Sequence, residues 1–150
     1  MKIIFLLILL TVFVTKNSYS NIVQVIDGDT IKIYNEKIRF SGIDAPELKQ
    51  NCFKNKKKVP CGILAKEALI KKIGYKIPKC INEGKDFYKR TLAECFIDGE
   101  SLSKFLVRNG YAFAYRKYSK KFINDERFAK KNRLGLWSMK FTFPWEFRKL

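Results

Sequence analysis

Four groups of residues carry the chemistry open to this sequence: Asp27-Gly28-Asp29-Thr30, Arg39, Asp44-Ala45-Pro46-Glu47 and Asp86-Phe87-Tyr88-Lys89-Arg90. Each alone has a plain explanation. Asp-Gly marks a hairpin turn, Asp44 to Glu47 suits a solvated acidic loop, and a single arginine is ordinary surface charge. An EF-hand also begins D-x-D, but Ile31 and Ile38 stand at its fifth and twelfth positions, where oxygen ligands are needed. That motif is excluded. Together the groups ask for a cation. The span from Asp27 to Glu47 holds five of the fourteen acids, Asp27, Asp29, Glu36, Asp44 and Glu47, in a chain with 31 Lys+Arg. Gathered carboxylates repel one another unless a cation sits among them. Oxygen donors without His or Cys favour a hard ion such as Ca²⁺ or Mg²⁺. Nearby arginines suit phosphate, whose oxygens a guanidinium binds in pairs. Metal, carboxylate base and arginines are the parts that hydrolysis of a phosphodiester requires.

Composition narrows the field by exclusion. The chain has 150 residues, enough for one ordinary domain, and no histidine. Ser-His-Asp and Cys-His catalysis and His-ligated zinc hydrolysis are therefore absent. With 47% hydrophobic and 15% aromatic residues the chain can build a core. A net charge of +17 favours an anionic partner: nucleic acid, an acidic membrane surface or acidic glycans.

Residues 1–20 read as a secretory signal peptide. Met1-Lys2 precedes the apolar run Ile3 to Val14, interrupted by Thr11, and Ser18-Tyr19-Ser20 supplies a small-x-small exit. An uncleaved anchor is the alternative, although a membrane span normally needs about 20 apolar residues. Cleavage after Ser20 removes Lys2 and Lys16, leaves a single domain over 21–150, and lowers +17 by two to +15. Export would place Cys52, Cys61, Cys80 and Cys95 in an oxidising compartment, where an even count suggests two disulfides. Proximity favours Cys52–Cys61 and Cys80–Cys95. A four-cysteine zinc site is the rival, but it lacks any C-x-x-C knuckle.

The elements that must position these residues follow from periodicity. Val23 and Val25, Ile31 and Ile33, then Ile38 and Phe40 alternate at period two, with turns at Asp27-Gly28 and Asn35-Glu36, which predicts a three-stranded meander. Residues 45–61 read as a loop with the charge run Lys54, Lys56, Lys57 and Lys58. Leu64, Ala65, Ala68, Leu69 and Ile73 share a helix face that stops at Gly74. Strands are expected over Tyr75 to Ile81 and Thr91 to Ile97, with a polar loop from Asn82 to Lys89. Ser101 can cap a short helix closed by Gly110, and a third helix is expected from about Lys120 to Arg133. The pattern predicts an α+β protein with a mainly β core: a five-stranded OB-fold Greek-key barrel with about three helices.

Asp27-Gly28-Asp29-Thr30, Arg39, Asp44-Ala45-Pro46-Glu47 and the loop ending at Arg90, in that order, resemble the thermonuclease (staphylococcal nuclease-like) family. Leu106-Val107-Arg108-Asn109-Gly110-Tyr111-Ala112 and Arg133-Leu134-Gly135-Leu136-Trp137-Ser138 are similar to its later segments, so the resemblance spans roughly residues 22–138. It implies one Ca²⁺ ion held by the Asp29 and Asp44 carboxylates and the Ala45 carbonyl. Glu47 would activate the attacking water, and Arg39 and Arg90 would stabilise the phosphoryl transition state. Members cut DNA and RNA and leave 3′-phosphate ends. Tyr88 matches the family's tyrosine near the substrate phosphate, and Tyr115 and Tyr118 compete for a second such role. Where the family usually has Gly before the second arginine, this chain has Lys89. A positive φ there would cost about 1 kcal/mol or more; alternatively, Lys89 adds a phosphate contact.

The resulting expectation is an exported, calcium-dependent monomeric nuclease of the periplasm, cell envelope or medium. It would act on DNA or RNA with single strands preferred, and would keep no membrane span once processed. The alternative is a secreted nucleic-acid-binding OB-fold module that does not cut. A further rival is an envelope protein whose Lys54–Lys58 run and Phe147-Arg148-Lys149-Leu150 tail bind acidic lipid or polymer. The alternating Phe141, Phe143, Trp145 and Phe147 fit docking against the barrel better than a base-stacking platform.

Overall fold

Three strands open the domain: β1 (Val23–Val25), β2 (Thr30–Ile33) and β3 (Glu36–Phe40), an antiparallel meander as the alternation predicts. The computed structural model describes residues 22–150, so the expected signal peptide lies outside the described residues. Ile31 faces Ile38 across β2 and β3, and both are buried. The same register sets Thr30 opposite Arg39. The first turn falls at Asp27-Gly28 as expected, with its own backbone geometry. Gly28 does not adopt the left-handed φ of a two-residue hairpin. A Cβ there would come 2.7 Å from the Ala45 Cβ and 2.8 Å from the Ala65 Cβ, so close packing is what requires glycine. The second turn lies one residue early, at Tyr34-Asn35, with Tyr34 at φ 53°.

A two-residue strand, β4 (Ile43–Asp44), follows. The segment predicted as loop over 45–61 contains a hairpin, β5 (Cys52–Lys54) and β6 (Lys57–Val59). Its turn residues Asn55 and Lys56 have φ of 49° and 63°, the double left-handed geometry of a type I′ turn. Most of its side chains are exposed, so no buried face imposes an alternation to read. The helix α1 (Cys61–Ile73) buries Ala65, Leu69 and Ile73 and ends at Gly74.

β7 (Lys79–Lys85) begins later than the predicted Tyr75 to Ile81 and runs through the first half of the predicted polar loop. Proline at 78 cannot donate to a ladder, and pairing with β8 (Thr91–Ile97) puts Cys80 opposite Cys95. Lying at the sheet edge, β7 is exposed almost throughout. β9 (Glu100–Ser101) leads into α2 (Leu102–Arg108), where the Ser101 hydroxyl accepts the Lys104 N–H at 3.2 Å. β10 (Phe113–Ala114) pairs with β4. α3 (Ile123–Lys131) is shorter at both ends than predicted. A 3₁₀ turn over Gly135–Ser138 and a fourth helix, α4 (Pro144–Phe147), complete the chain.

The main sheet runs β1-β2-β3-β8-β7, with β9 beside β8 and β3–β8 its parallel pair. This is the expected OB-like α+β fold, with α4 beyond the three predicted helices. Ile31, Phe40, Leu69, Leu102 and Leu106 lie in the main core. A second cluster gathers Cys52, Cys61, Phe113 and Leu136 with Trp137, Phe141, Phe143 and Trp145. The C-terminal aromatics therefore dock, as their alternation suggested. The disulfides are Cys52–Cys61 and Cys80–Cys95, leaving no free cysteine and excluding the zinc alternative. Among the described residues no helix is long and apolar enough to cross a membrane.

Two glycines join the later segments. The Gly110 carbonyl accepts the Leu136 N–H at 2.8 Å. A Cβ on Gly110, whose φ is 74°, would lie 2.2 Å from the Leu134 oxygen. Gly110→Ala must push the 3₁₀ turn away and strain its own backbone. It is expected to cost about 2 kcal/mol or more, read as a lower urea midpoint.

Candidate active site

The β2–β3 register brings Arg39 beside Asp29, and β4 brings Asp44 to its other side. Arg39 Nη1 donates to Asp29 Oδ1 and Nη2 to Asp44 Oδ1, both at 2.8 Å. The carboxylates are buried, with side-chain exposures of 4% and 0%, against 17% for Arg39. Asp29 also accepts the Ala45 N–H at 2.8 Å and the Thr30 hydroxyl at 3.1 Å. Asp27 accepts the Asp29 N–H at 3.1 Å, which shapes the loop from the front. Of the five clustered acids, Glu36 alone stands apart, accepting the Thr91 hydroxyl at 2.6 Å.

Burial pushes the Asp29 carboxyl up to about 7, against the pull of Arg39, with Asp27 and Asp44 adding to the rise. Burial by itself would loosen the Arg39 proton, but Asp29 and Asp44 hold it above the ordinary arginine value. Arg39 thus only partly offsets the desolvation of Asp29. The donors are oxygen alone, which fits a hard cation. Among the described residues no three His, Cys, Asp or Glu side chains group as a ready-made metal site. Asp29 and Asp44 supply two carboxylates side by side, fewer than the six to eight oxygens of a calcium shell.

Glu47 sits on the loop between β4 and β5, and backbone packing holds that loop in place. The Gln50 N–H donates to the Glu47 carbonyl at 2.7 Å, and Gln50 Oε1 accepts the Glu47 N–H at 3.2 Å. A Cβ on Gly62 would fall 1.9 Å from the Glu47 oxygen, so the start of α1 touches this loop directly. The Cys52–Cys61 bridge ties the same helix start to the hairpin.

An open groove of about 1190 Å³ runs over these residues, lined by Arg39, Glu47, Tyr88, Arg90, Tyr115 and Tyr118 among others. Arg90 is fixed by its own loop. Its backbone N–H donates to Asp86 Oδ1 at 2.9 Å and its Nε to Oδ2 at 2.5 Å, while the guanidinium lies 5.5 Å from the Tyr88 ring centre. Burial opposes ionisation of Asp86, but the Arg90 N–H and guanidinium hold its carboxyl below the usual range. Lys89 has φ 61°, so the left-handed position normally suited to glycine is real. Lys89 is exposed and is not among the groove-lining residues. Tyr115 and Tyr118 both line the groove, with ring centres 4.9 Å apart.

One residue here has no counterpart in the sequence expectations. Arg148, in the basic tail, reaches back to Asp44 and Glu47. Nη2 donates to Asp44 Oδ2 at 2.7 Å, while Nη1 donates to Asp44 Oδ1 at 3.1 Å and to Glu47 Oε1 at 2.7 Å. Hydrogen bonding to Asp44, then to Glu47, outweighs burial and raises its hold on the proton above the ordinary value. Only the aromatic alternation just before it hinted that the tail docks.

The family model described as staphylococcal nuclease homologue matches residues 37–139. That range contains Arg39, Asp44, Glu47 and Arg90 but neither Asp29 nor Arg148. The chain is 32% identical over 118 residues to the succinoglycan biosynthesis protein ExoI of Rhizobium meliloti (strain 1021), covering 76% of this chain and 62% of that protein. It is 32% identical over 116 residues to the staphylococcal-like nuclease CAN1 of Arabidopsis thaliana, covering 75% and 33%. It is 30% identical over 124 residues to an uncharacterized endonuclease of Haemophilus influenzae (strain ATCC 51907 / DSM 11121 / KW20 / Rd), covering 78% and 65%. The chain thus spans from 33% to 65% of the length of these three relatives.

Removing the shared guanidinium should expose the cost of the buried acids. Arg39→Gln is expected to destabilise the metal-free protein by about 3 kcal/mol. Adding Asp29→Asn should recover part of that loss in urea titrations, because one of the two facing charges is gone.

Proposed function

Because the chain belongs to the staphylococcal nuclease homologue family, we propose that it is an exported, calcium-dependent nuclease that hydrolyses phosphodiester bonds in DNA or RNA. One observation carries the reading: two buried carboxylates share Arg39 beneath a groove that also presents Glu47 and Arg90. A purely structural ion pair has no need of an open groove lined by a carboxylate, arginines and tyrosines.

Bound to Asp29, Asp44 and the Ala45 carbonyl, calcium would supply Lewis-acid stabilisation of the phosphoryl oxygens. The chain's own residues supply the rest. Arg39 spends one N–H of each terminal nitrogen on Asp29 and Asp44, which leaves its remaining donors for phosphate oxygens. Arg90 is held by Asp86 through Nε, and among the described residues its terminal nitrogens make no hydrogen bond, so both can meet the same phosphate. Glu47, half in solvent with a side-chain exposure of 40%, takes a proton from a groove water as that water attacks phosphorus. The bond from phosphorus to the 5′ oxygen breaks, that oxygen takes a proton from groove water, and Glu47 returns its proton to solvent, leaving a 3′-phosphate and a 5′-hydroxyl. Tyr88 and either Tyr115 or Tyr118 position the substrate, and Lys89 adds a solvent-side charge. The net charge of +15 left after loss of Lys2 and Lys16 draws polyphosphate toward the groove.

The binding-module alternative shares the groove and the charge but predicts no cutting. Assays on single-stranded DNA discriminate the two. Calcium-dependent cleavage that EDTA abolishes is expected, and Glu47→Gln should slow it by about 10² to 10⁴-fold with little change in binding. Binding without cleavage would establish the module instead, while equal cutting by the variant and in EDTA would misplace the site. Export is checked separately: the protein recovered outside the cytoplasm should begin at Asn21.

A further inference from the structure

Arg148 occupies carboxylate oxygens that the proposed cation and water chemistry would use. Asp44 Oδ1 already accepts from Arg39 at 2.8 Å and from Arg148 at 3.1 Å, and Oδ2 accepts from Arg148 at 2.7 Å. Each carboxylate oxygen offers about two acceptor positions, so Oδ1 is filled and Oδ2 half filled. Glu47 Oε1 is held by the same guanidinium at 2.7 Å. A carboxylate so engaged has less freedom to receive a proton from water.

Of the two arginines on Asp44, Arg148 is the one that can leave. Its side chain is 38% exposed and lines the groove, whereas Arg39 is 17% exposed and also bridges Asp29. A released Arg148 does not drift away. Trp145 stacks on Tyr115 with ring centres 5.6 Å apart and on Phe143 at 4.5 Å. Gln50, which braces the Glu47 loop, donates to the Thr142 carbonyl at 2.6 Å. The tail therefore anchors on the wall of the site and holds its guanidinium within reach.

We infer that Arg148 is a tethered internal cation that competes with the divalent ion for Asp44 and Glu47, and so sets the ion concentration at which the site fills. The inference rests on the calcium reading of the same carboxylates. Its test is calcium titration by calorimetry, without nucleic acid, so that activity is not the readout. Arg148→Gln is expected to bind Ca²⁺ about fivefold more tightly than the wild type, the upper scale of one partly exposed ion pair. A chain ending at Phe147 should behave alike, and Arg148→Lys, which keeps the charge but loses the fork, should fall between. Equal or weaker binding by both Arg148→Gln and the shortened chain, each folded by circular dichroism, would overturn the competition while leaving the calcium reading intact. No calcium binding by any form would overturn both.

Discussion

Two carboxylates buried a few ångströms from one guanidinium form the constraint around which this domain is arranged. A carboxylate taken out of water is costly unless something positive meets it. Here Asp29 and Asp44 are almost wholly buried and divide Arg39 between them. Meeting that demand fixes the register of β2 on β3, because Arg39 must lie opposite Thr30, next to Asp29. It places β4 where Asp44 can approach from the far side. Gly28 belongs to the same requirement, since any side chain there would drive the Asp29 loop off Ala45 and α1.

Around this buried floor the molecule places groups that are deliberately less fixed. Glu47 and Arg90 lie at the groove surface, each braced by its own loop: Glu47 by Gln50 and Gly62, Arg90 by Asp86. The division is physical. Charges that must stay put are desolvated and shared, whereas charges that must meet a visiting phosphate or water keep access to solvent. The strained backbone at Lys89 sits on the solvent side of that division, where a cost of about 1 kcal/mol is borne by a loop tip and not by the core.

Much of this was legible in the residues. Period-two alternation revealed β1 to β3 because apolar side chains of each pack into or against the core, and α1 and α2 declared themselves through an apolar face, Gly74 and the Ser101 cap. The acids, Arg39 and Arg90 stood out because their concentration is hard to explain without a cation. Short sequence distance favoured the two disulfides that are present. What stayed hidden was whatever long-range contact alone decides. The lysine-rich hairpin has almost no buried face, and its Phe53 pairs with distant Lys140. β7 is an exposed edge strand whose register follows β8, and β4 and β10 are two residues each, defined only by pairing with one another. Arg148 looked like any solvated terminal charge, since nothing local distinguishes a tail arginine that folds back.

That fold-back sets an order of events. Asp29 and Arg39 are ten residues apart, and Arg39 and Asp44 five, whereas Arg148 is separated from Asp44 by 104. During synthesis from the N-terminus, the meander and its shared arginine can form while the tail is still unmade. The nascent site can therefore pass through a stage in which Asp29 and Asp44 share Arg39 alone and the rim stands open. Only when residues 141–148 dock does the Arg148 guanidinium close over it, so the groove is completed by a segment 104 residues downstream of the carboxylate it meets.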